Sequence, residues 1–320
     1  MTDRATVIVA QPIDPVAMAD LRRRWTVINH AWWRDEIGTA DALIVRNAPV
    51  DADLLSRARR LRVIARIGVG TDSIDVQAAT GRGIAVAITP DGNSQAVAEH
   101  VFALILALLR RVATGDRAVR DGRFQDRERL LGHTLAGRTL GIVGYGRIGR
   151  AVARIAQGGF GLRVVVLTRR PSGVTDTGVV IAESLDALLA ASDIVSLHVP
   201  LSSETAGMIN ASAFSQMRDD AYLINTARAA LVDQSALIEA LDGGRLAGAG
   251  IDVFDGAPVA GNPLLGRDDV VLTPHVAAMT KEAFASMSRQ AVTAVADALA
   301  GRVPANIVSP TAVQARSSVS

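Results

Sequence analysis

The chain of 320 residues has no cysteine. That excludes a disulfide, a thiolate zinc site and a cysteine nucleophile, because each needs a thiol or thiolate. Lysine is nearly absent: Lys281 is the only one, and arginine carries the positive charge. The net charge is only +2, and no run of like charge exceeds Arg22-Arg23-Arg24. Nucleic acid is therefore a poor candidate partner. Long apolar runs are missing as well. The longest, Val101 to Leu109, is about half a membrane span and reads as a buried helix. Met1-Thr2-Asp3-Arg4 leads directly into a short strand, Thr6 to Ala10, too brief for a signal-peptide core. No repeat, low-complexity linker or metal site is apparent. A cytoplasmic protein without a membrane partner is expected.

What is present suits a globular chain, with 49% hydrophobic and 21% charged residues and a length fitting two domains. Short apolar strands alternate with helical stretches. Val7–Ala10, Ala42–Val45, Val63–Arg66 and Ile84–Ala87 are strands; Val16–Arg24 and Ala52–Arg60 have helical pattern, the second with Asp51 as N-cap. Asn93 to His100 opens a long helix predicted to end near Gly122 and to cross between domains. Six further strands follow: Leu140–Val143, Val164–Leu167, Ile194–Leu197, Ala221–Ile224, Ala249–Ile251 and Val270–Leu272. A last helix runs from about Lys281 to Ala300. Ala305-Asn306-Ile307-Val308 is expected to return to the first domain, and Ala315 to Ser320 to fray.

At the midpoint stands Gly141-Ile142-Val143-Gly144-Tyr145-Gly146-Arg147-Ile148-Gly149-Arg150. A buried strand precedes it, and Ile148, Val152 and Ile155 follow at helical spacing, which is the context a dinucleotide fingerprint requires. Gly144 allows the tight turn, Gly146 lets backbone approach a pyrophosphate, and Gly149 lets the helix pack on the strand. The helix N-terminus then faces the anion.

Ligands of an open parallel sheet bind beyond the carboxyl ends of its strands. Those ends carry Gly144, Thr168-Arg169-Arg170, His198-Val199-Pro200, Asn225-Thr226-Ala227-Arg228, Asp252 and Thr273-Pro274-His275. The second strand ends without the acid that would hold an adenine ribose. A hydroxyl and two guanidiniums suit a 2′-phosphate instead, so NADP(H) is favoured over NAD(H); if the arginines form a solvated loop, either cofactor remains open. Arg228 is always charged and matches a carboxylate fork to fork. Of the five histidines, His30, His100 and His133 read as packing or surface residues, and His198 as shaping the cofactor loop. His275 is the general acid/base candidate, since imidazole titrates near neutrality.

These segments resemble the D-isomer-specific 2-hydroxyacid dehydrogenases, over about residues 40 to 310. The likeness is carried by Arg66-Ile67-Gly68-Val69-Gly70-Thr71-Asp72, Asn93 to Glu99, the glycine fingerprint, Leu197 to Leu201, Asn225 to Arg228, Gly250-Ile251-Asp252-Val253-Phe254 and Thr273-Pro274-His275. The resemblance implies an α/β protein, a Rossmann-type doubly wound parallel sheet inserted into a smaller flavodoxin-like substrate domain. Residues 1–97 and 287–320 would form the substrate domain and 98–286 the dinucleotide-binding domain. It implies substrate carboxylate binding by Val69, Gly70 and Arg228, nicotinamide carboxamide binding by Asp252, proton transfer by His275, and a homodimer. The expected cofactor contacts are Gly144, Gly146, Arg147, Ile148, Gly149, Thr168, Arg169, Arg170, His198, Val199, Pro200, Thr205, Thr226, Ala227, Asp252 and Ala277.

The expected activity is reduction of a small 2-keto acid, of glyoxylate or hydroxypyruvate type, to its D-2-hydroxy acid. The alternative is a catalytically weakened nucleotide-binding sensor or corepressor-like protein. A regulated phosphoglycerate dehydrogenase is disfavoured because no regulatory domain follows residue 320. One departure motivates the alternative. In Asp252-Val253-Phe254-Asp255-Gly256-Ala257-Pro258, the family pattern has a glutamate where this chain has Ala257, paired with the catalytic histidine. A carboxylate there would favour imidazolium, so His275 is expected nearer the ordinary value of about 6.5. Asp255, two residues earlier on an extended segment, is a candidate substitute; otherwise it caps a loop.

Overall fold

The structure, a computed structural model, describes residues 4–257 and 260–308. The chain divides into two compact units: a terminal unit of Met1–Asn93 with Met279–Ser320, and a central unit of Ser94–Ala278. Their limits fall at 93/94 and 278/279 instead of 97/98 and 286/287, which leaves the helices that begin there undivided.

The terminal unit begins with β1 (Thr6–Val9), α1 (Pro15–Arg24), β2 (Thr26–Ile28), β3 (Ala42–Val45), α2 (Ala52–Arg57), β4 (Val63–Arg66), α3 (Val76–Gly81) and β5 (Ala85–Ile88). Pro15 supplies a helical φ at the first turn of α1, and the Asp14 carboxylate accepts from the Val16 and Ala17 amides. Asp51 caps α2 as predicted, accepting from Leu54 N at 2.8 Å. The strands pair in parallel in the order β2-β1-β3-β4-β5, the flavodoxin-like order. β3 is buried at every position, as its unbroken apolar run dictates for a strand covered on both faces. The edge strand β2 was not predicted; three partly exposed residues are too few to show a period.

The central unit opens with α4 (Ser94–Leu109) and α5 (Val112–Arg120). It continues through β6 (Thr139–Val143), α6 (Arg147–Phe160), β7 (Arg163–Leu167), β8 (Val179–Ile181), α7 (Leu185–Ala191), β9 (Ile194–Leu197) and α8 (Ala211–Gln216). It closes with β10 (Tyr222–Asn225), α9 (Gln234–Asp242), β11 (Gly248–Ile251) and β12 (Val270–Leu272). Its seven-stranded parallel sheet has the order β12-β11-β10-β9-β6-β7-β8. Alternate residues serve opposite faces. Leu140, Ile142, Val164 and Val166 pack under α4 and α6, whereas Val195, Leu197 and Leu223 pack under α7, α8 and α9. Each fully buried aliphatic side chain stabilises by about 1.5–3 kcal/mol. The chain builds outward from β6 on one side, then returns to build outward from β9 on the other. The switch point lies between β6 and β9, where an open sheet binds its ligand. Strand β8 was missed because it is a short edge, with Val180 61% exposed.

The long helix predicted to reach Gly122 is two helices. Arg111 adopts the left-handed conformation (φ 51°) between α4 and α5. The Leu109 carbonyl accepts from His133 N at 2.9 Å rather than from a continuing helix, which ends the ladder there. The second helix does stop at Gly122, whose φ is 72°.

The terminal unit is completed by α10 (Lys281–Leu299), capped by Thr280 and packed on β3, β4, β5 and α1. The following segment returns as expected: Ile307 bridges Ala87 in antiparallel sense, and Val308 N donates to Val86 O at 2.9 Å. The expected fraying from Ala315 onward lies outside the described residues.

Candidate active site

The fingerprint loop follows β6, which is buried throughout. Gly144 has φ 99°, and a Cβ there would lie 2.6 Å from the His198 carbonyl oxygen, so only glycine fits. That oxygen belongs to the residue after β9, and His198 N donates to Val143 O at 2.7 Å. The glycine loop and His198 therefore adjoin at the switch point. Gly149 lies against Gly144, where a Cβ would approach the Gly144 oxygen to 2.3 Å. Gly146 differs: it is the N-cap of α6, and a Cβ there would meet nothing within 4 Å. No side chain caps α6, so no side-chain acceptor takes its first amides. Arg147 is exposed and Ile148 packs against the core.

A second polar group fits the same ligand. Thr226, after β10, has a buried hydroxyl without a hydrogen-bond partner, a costly state that a bound molecule relieves. The crevice thus combines an uncapped helix start, a side-chain-free approach at Gly146 and an orphaned hydroxyl, as a dinucleotide requires.

At the end of β7, Thr168 Oγ1 accepts from Arg170 N at 3.2 Å, and Arg169 and Arg170 are exposed. Arg169 pairs with Glu204 at 3.5 Å, but with side chains 82% and 74% exposed the pair is weak. The segment beyond is tied to α6. Asp176 accepts from Tyr145 Oη at 2.8 Å and from Arg150 at 2.9 Å, and Arg150 also donates to Gly173 O. Burial, then the Asp176 contact, pushes the Tyr145 phenol up to about 12, so it stays a donor. After β9, the His198 ring contacts Ser196 Oγ at 2.8 Å, and burial lowers its pKa to about 4, leaving it neutral. Val199 is half-buried and Pro200 exposed. Thr205 Oγ1 donates to Pro200 O at 2.7 Å and accepts from Ser202 N, closing that loop.

Arg228, Asp252 and His275 follow β10, β11 and β12, adjacent strands of the sheet. The buried Asn225 side chain clamps the first turn, accepting from Ala227 N and donating to Arg228 O. Arg228 is half-buried and donates to Ala227 O at 2.6 Å. Asp252 is fully buried; its carboxylate accepts from Thr273 Oγ1 at 2.6 Å, Val276 N at 2.9 Å and Ala277 N at 3.0 Å. His275 is exposed, in left-handed conformation (φ 56°), and its amide donates to the Asp252 carbonyl. Asp255, Gly256 and Ala257 form an exposed bend, with Pro258 outside the described residues.

The central unit, matched over residues 102–277 by the family model for the NAD binding domain of D-isomer specific 2-hydroxyacid dehydrogenases, decides the family. The chain belongs to the D-isomer-specific 2-hydroxyacid dehydrogenases. It is 40% identical to a glyoxylate reductase of Korarchaeum cryptofilum over 302 residues, 89% of this chain and 90% of that protein. A D-3-phosphoglycerate dehydrogenase of Archaeoglobus fulgidus is 38% identical over 87% of this chain, but the match spans only 54% of that longer protein. Among solved structures, the NADPH-dependent glyoxylate/hydroxypyruvate reductase of Sinorhizobium meliloti in complex with NADP and malonate superposes with TM-score 0.86. It is 30% identical, with 96% of this chain and 98% of that chain covered.

In this family member the two expected substrate residues outside the central unit, Val69 and Gly70, follow β4 of the terminal unit. Val69 is 43% exposed. Their loop is held by Thr89, whose hydroxyl accepts from Gly68 N at 2.7 Å, and by Arg66 Nε, which donates to Gly70 O at 2.7 Å. His100, read from sequence as a packing or surface residue, has its Nε2 3.0 Å from Thr273 Oγ1 and 3.6 Å from Asp252 Oδ1. Its signal was spacing. His100 is one turn before Leu104 on the face of α4 that meets β11, where Gly250 leaves room for the helix. Among the described residues, no helix is long and apolar enough to cross a membrane and no cluster could hold a metal ion.

Proposed function

We propose that this dehydrogenase reduces small 2-keto acids of the glyoxylate or hydroxypyruvate type to D-2-hydroxy acids, with NADPH, in the cytoplasm. The observation that carries the reading is the placement of a half-buried arginine after β10 and a loop-borne histidine after β12, the two strands that flank β11, in a unit with a crevice fitted for a dinucleotide. Gly144, Gly146, Arg147, Ile148 and Gly149 hold the pyrophosphate. His198 to Pro200, Thr205, Thr226, Ala227, Asp252 and Ala277 line the remainder. The bound dinucleotide supplies a hydride to the carbonyl carbon. Arg228 grips the substrate carboxylate and orients the carbonyl. As the oxygen gains negative charge, the protonated His275 ring gives it a proton; in the reverse direction the neutral ring removes the hydroxyl proton. His198, kept neutral by burial, does not compete for this role.

NADPH preference is supported by the absence of an acid directly after β7 and by the exposed Arg169 and Arg170, the first of which can exchange a weak ion pair for a phosphate. A second copy of the chain is the proposed partner. Val112, Val119, Phe124 and Leu131, 57–84% exposed on and after α5, supply an apolar face for it. Light scattering giving a monomer mass would refute this pairing.

Ala257 favours a second reading, a nucleotide-binding sensor or corepressor-like protein with weakened catalysis. Arg228 and His275 together weigh against it. The deciding experiment offers purified protein a panel of 2-keto acids with NADPH and NADH between about pH 5 and 8. Turnover supports the enzyme; tight NADPH binding with no oxidation across the panel replaces it with the sensor.

A further inference from the structure

We infer that His100 is a positioning residue for the proton-transfer histidine, fixing through Thr273 and Asp252 the loop that carries His275; as a catalytic claim this rests on the activity proposed above. The Thr273 hydroxyl has one proton, and its 2.6 Å contact with the acceptor-only Asp252 carboxylate uses it. In the 3.0 Å contact between Thr273 Oγ1 and His100 Nε2, the hydroxyl oxygen must therefore accept. His100 carries its proton on Nε2 and donates, which gives a directed chain from His100 to Thr273 to Asp252.

Asp252 is the hub of this arrangement. It is fully buried, and a buried carboxylate is tolerated only when hydrogen-bonded. Its side chain takes the Thr273 hydroxyl and the amides of Val276 and Ala277, while its carbonyl takes the amide of His275. Only Pro274, which has no amide proton, escapes. These bonds hold His275 at φ 56°, a conformation that costs about 1–3 kcal/mol in a non-glycine residue and persists only where neighbours impose it. His100 is the outermost member, its side chain 19% exposed, and it reaches the network from a different element, α4. Gly250 permits that reach, since a Cβ there would lie 3.0 Å from Leu104 Cβ. Removing the His100 donor leaves the Thr273 oxygen unmatched and frees its hydroxyl to turn from Asp252. The carboxylate then keeps only the two amide bonds, and the loop loosens around His275.

The test compares His100→Ala with His100→Gln, whose amide can still donate. Amide hydrogen exchange is followed in the free protein, independent of any turnover, and kcat, KM and NADPH affinity are measured with glyoxylate. In His100→Ala, segment 273–278 is expected to exchange faster while the β6–α6 segment is unchanged. The expected loss in kcat is between about ten- and a hundredfold, as for a misplaced acid, with KM and NADPH affinity within about twofold. His100→Gln should recover most of both losses. Unaltered exchange in segment 273–278, or a glutamine variant no better than alanine, overturns the inference. If the wild-type chain turns over no 2-keto acid, the proposed activity fails alone, and the exchange data still decide whether His100 holds the loop.

Discussion

Replacing Gly144 and Gly146 separately by alanine should divide the fingerprint into a part needed to fold and a part needed to bind. At Gly144 the backbone has φ 99°, and the new methyl would lie 2.6 Å from the His198 oxygen and 2.7 Å from its carbonyl carbon. The conformation costs about 1–2 kcal/mol for an L-residue, and displacing packed backbone costs about 1–3 kcal/mol more. Gly144→Ala should therefore lose about 3 kcal/mol of stability together with its NADPH affinity. At Gly146 the backbone is ordinary (φ −85°), and the methyl meets nothing within 4 Å. Stability should stay within about 0.5 kcal/mol of wild type. The methyl would nevertheless stand where backbone must approach the pyrophosphate, so NADPH affinity should fall at least about tenfold, or about 1.4 kcal/mol. Gly158→Ala, within α6 and also open, is the control: slightly stabilising, by about 0.5–1 kcal/mol, with binding unchanged. Thermal melts followed by circular dichroism and fluorescence titration of NADPH supply both axes. A Gly146→Ala protein that binds NADPH like wild type would refute the placement of the pyrophosphate at this helix start.

Arg169→Ala should weaken NADPH much more than NADH, read from the ratio of the two KM values; equal losses would remove the 2′-phosphate assignment. Ala257→Glu should carry the alkaline limb of the reduction rate to higher pH, because a carboxylate beside His275 favours its protonated form. If Asp255 already serves that purpose, Asp255→Asn should lower activity strongly while Ala257→Glu changes little; an unaltered pH profile in both variants discards the missing-partner argument. His198 makes a prediction about stability. Its folded pKa of about 4 lies below the ordinary 6.5, so the unfolded chain binds the extra proton. Its contribution is whole above pH 6.5 and is lost as pH falls toward 4. The upper limit is about 3 kcal/mol, reduced by the partial exposure of the ring. Urea midpoints at about pH 7.5 and 5 should therefore diverge more in wild type than in His198→Gln; parallel behaviour would show that the ring is not desolvated.

The sequence revealed most where a feature is local. Asp51 before an apolar helical run is a cap in any context, and the glycine fingerprint between strand and helix carries its own geometry. The parallel α/β layout was legible because the inner strands are short, mostly apolar runs alternating with helical stretches. What escaped depends on partners distant in sequence. The break at Arg111 is set by His133, which takes the Leu109 carbonyl; nothing around Arg111 itself announces it. Strands β2 and β8 have three residues each, and being at edges they lack the full burial that makes a strand apolar throughout. Asp252 was expected to meet a cofactor through the family resemblance, whereas its internal bonds to residues 273–277 emerge only from the folded loop. The contacts of His100 escaped for the same reason: Thr273 and Asp252 are remote in sequence, and Gly250 leaves room for the helix that brings His100 to them.

The return of residues 305–308 to β5, together with α10 laid across β3, β4 and β5, bears on the order in which the protein can be made. The first sheet leaves the ribosome with the face meant for α10 uncovered. It must wait while the whole central unit is synthesised, at about 5–20 residues per second. The central unit is one uninterrupted stretch of chain and can fold as soon as it emerges. The segment translated first, residues 1–93, therefore belongs to the unit that is completed last.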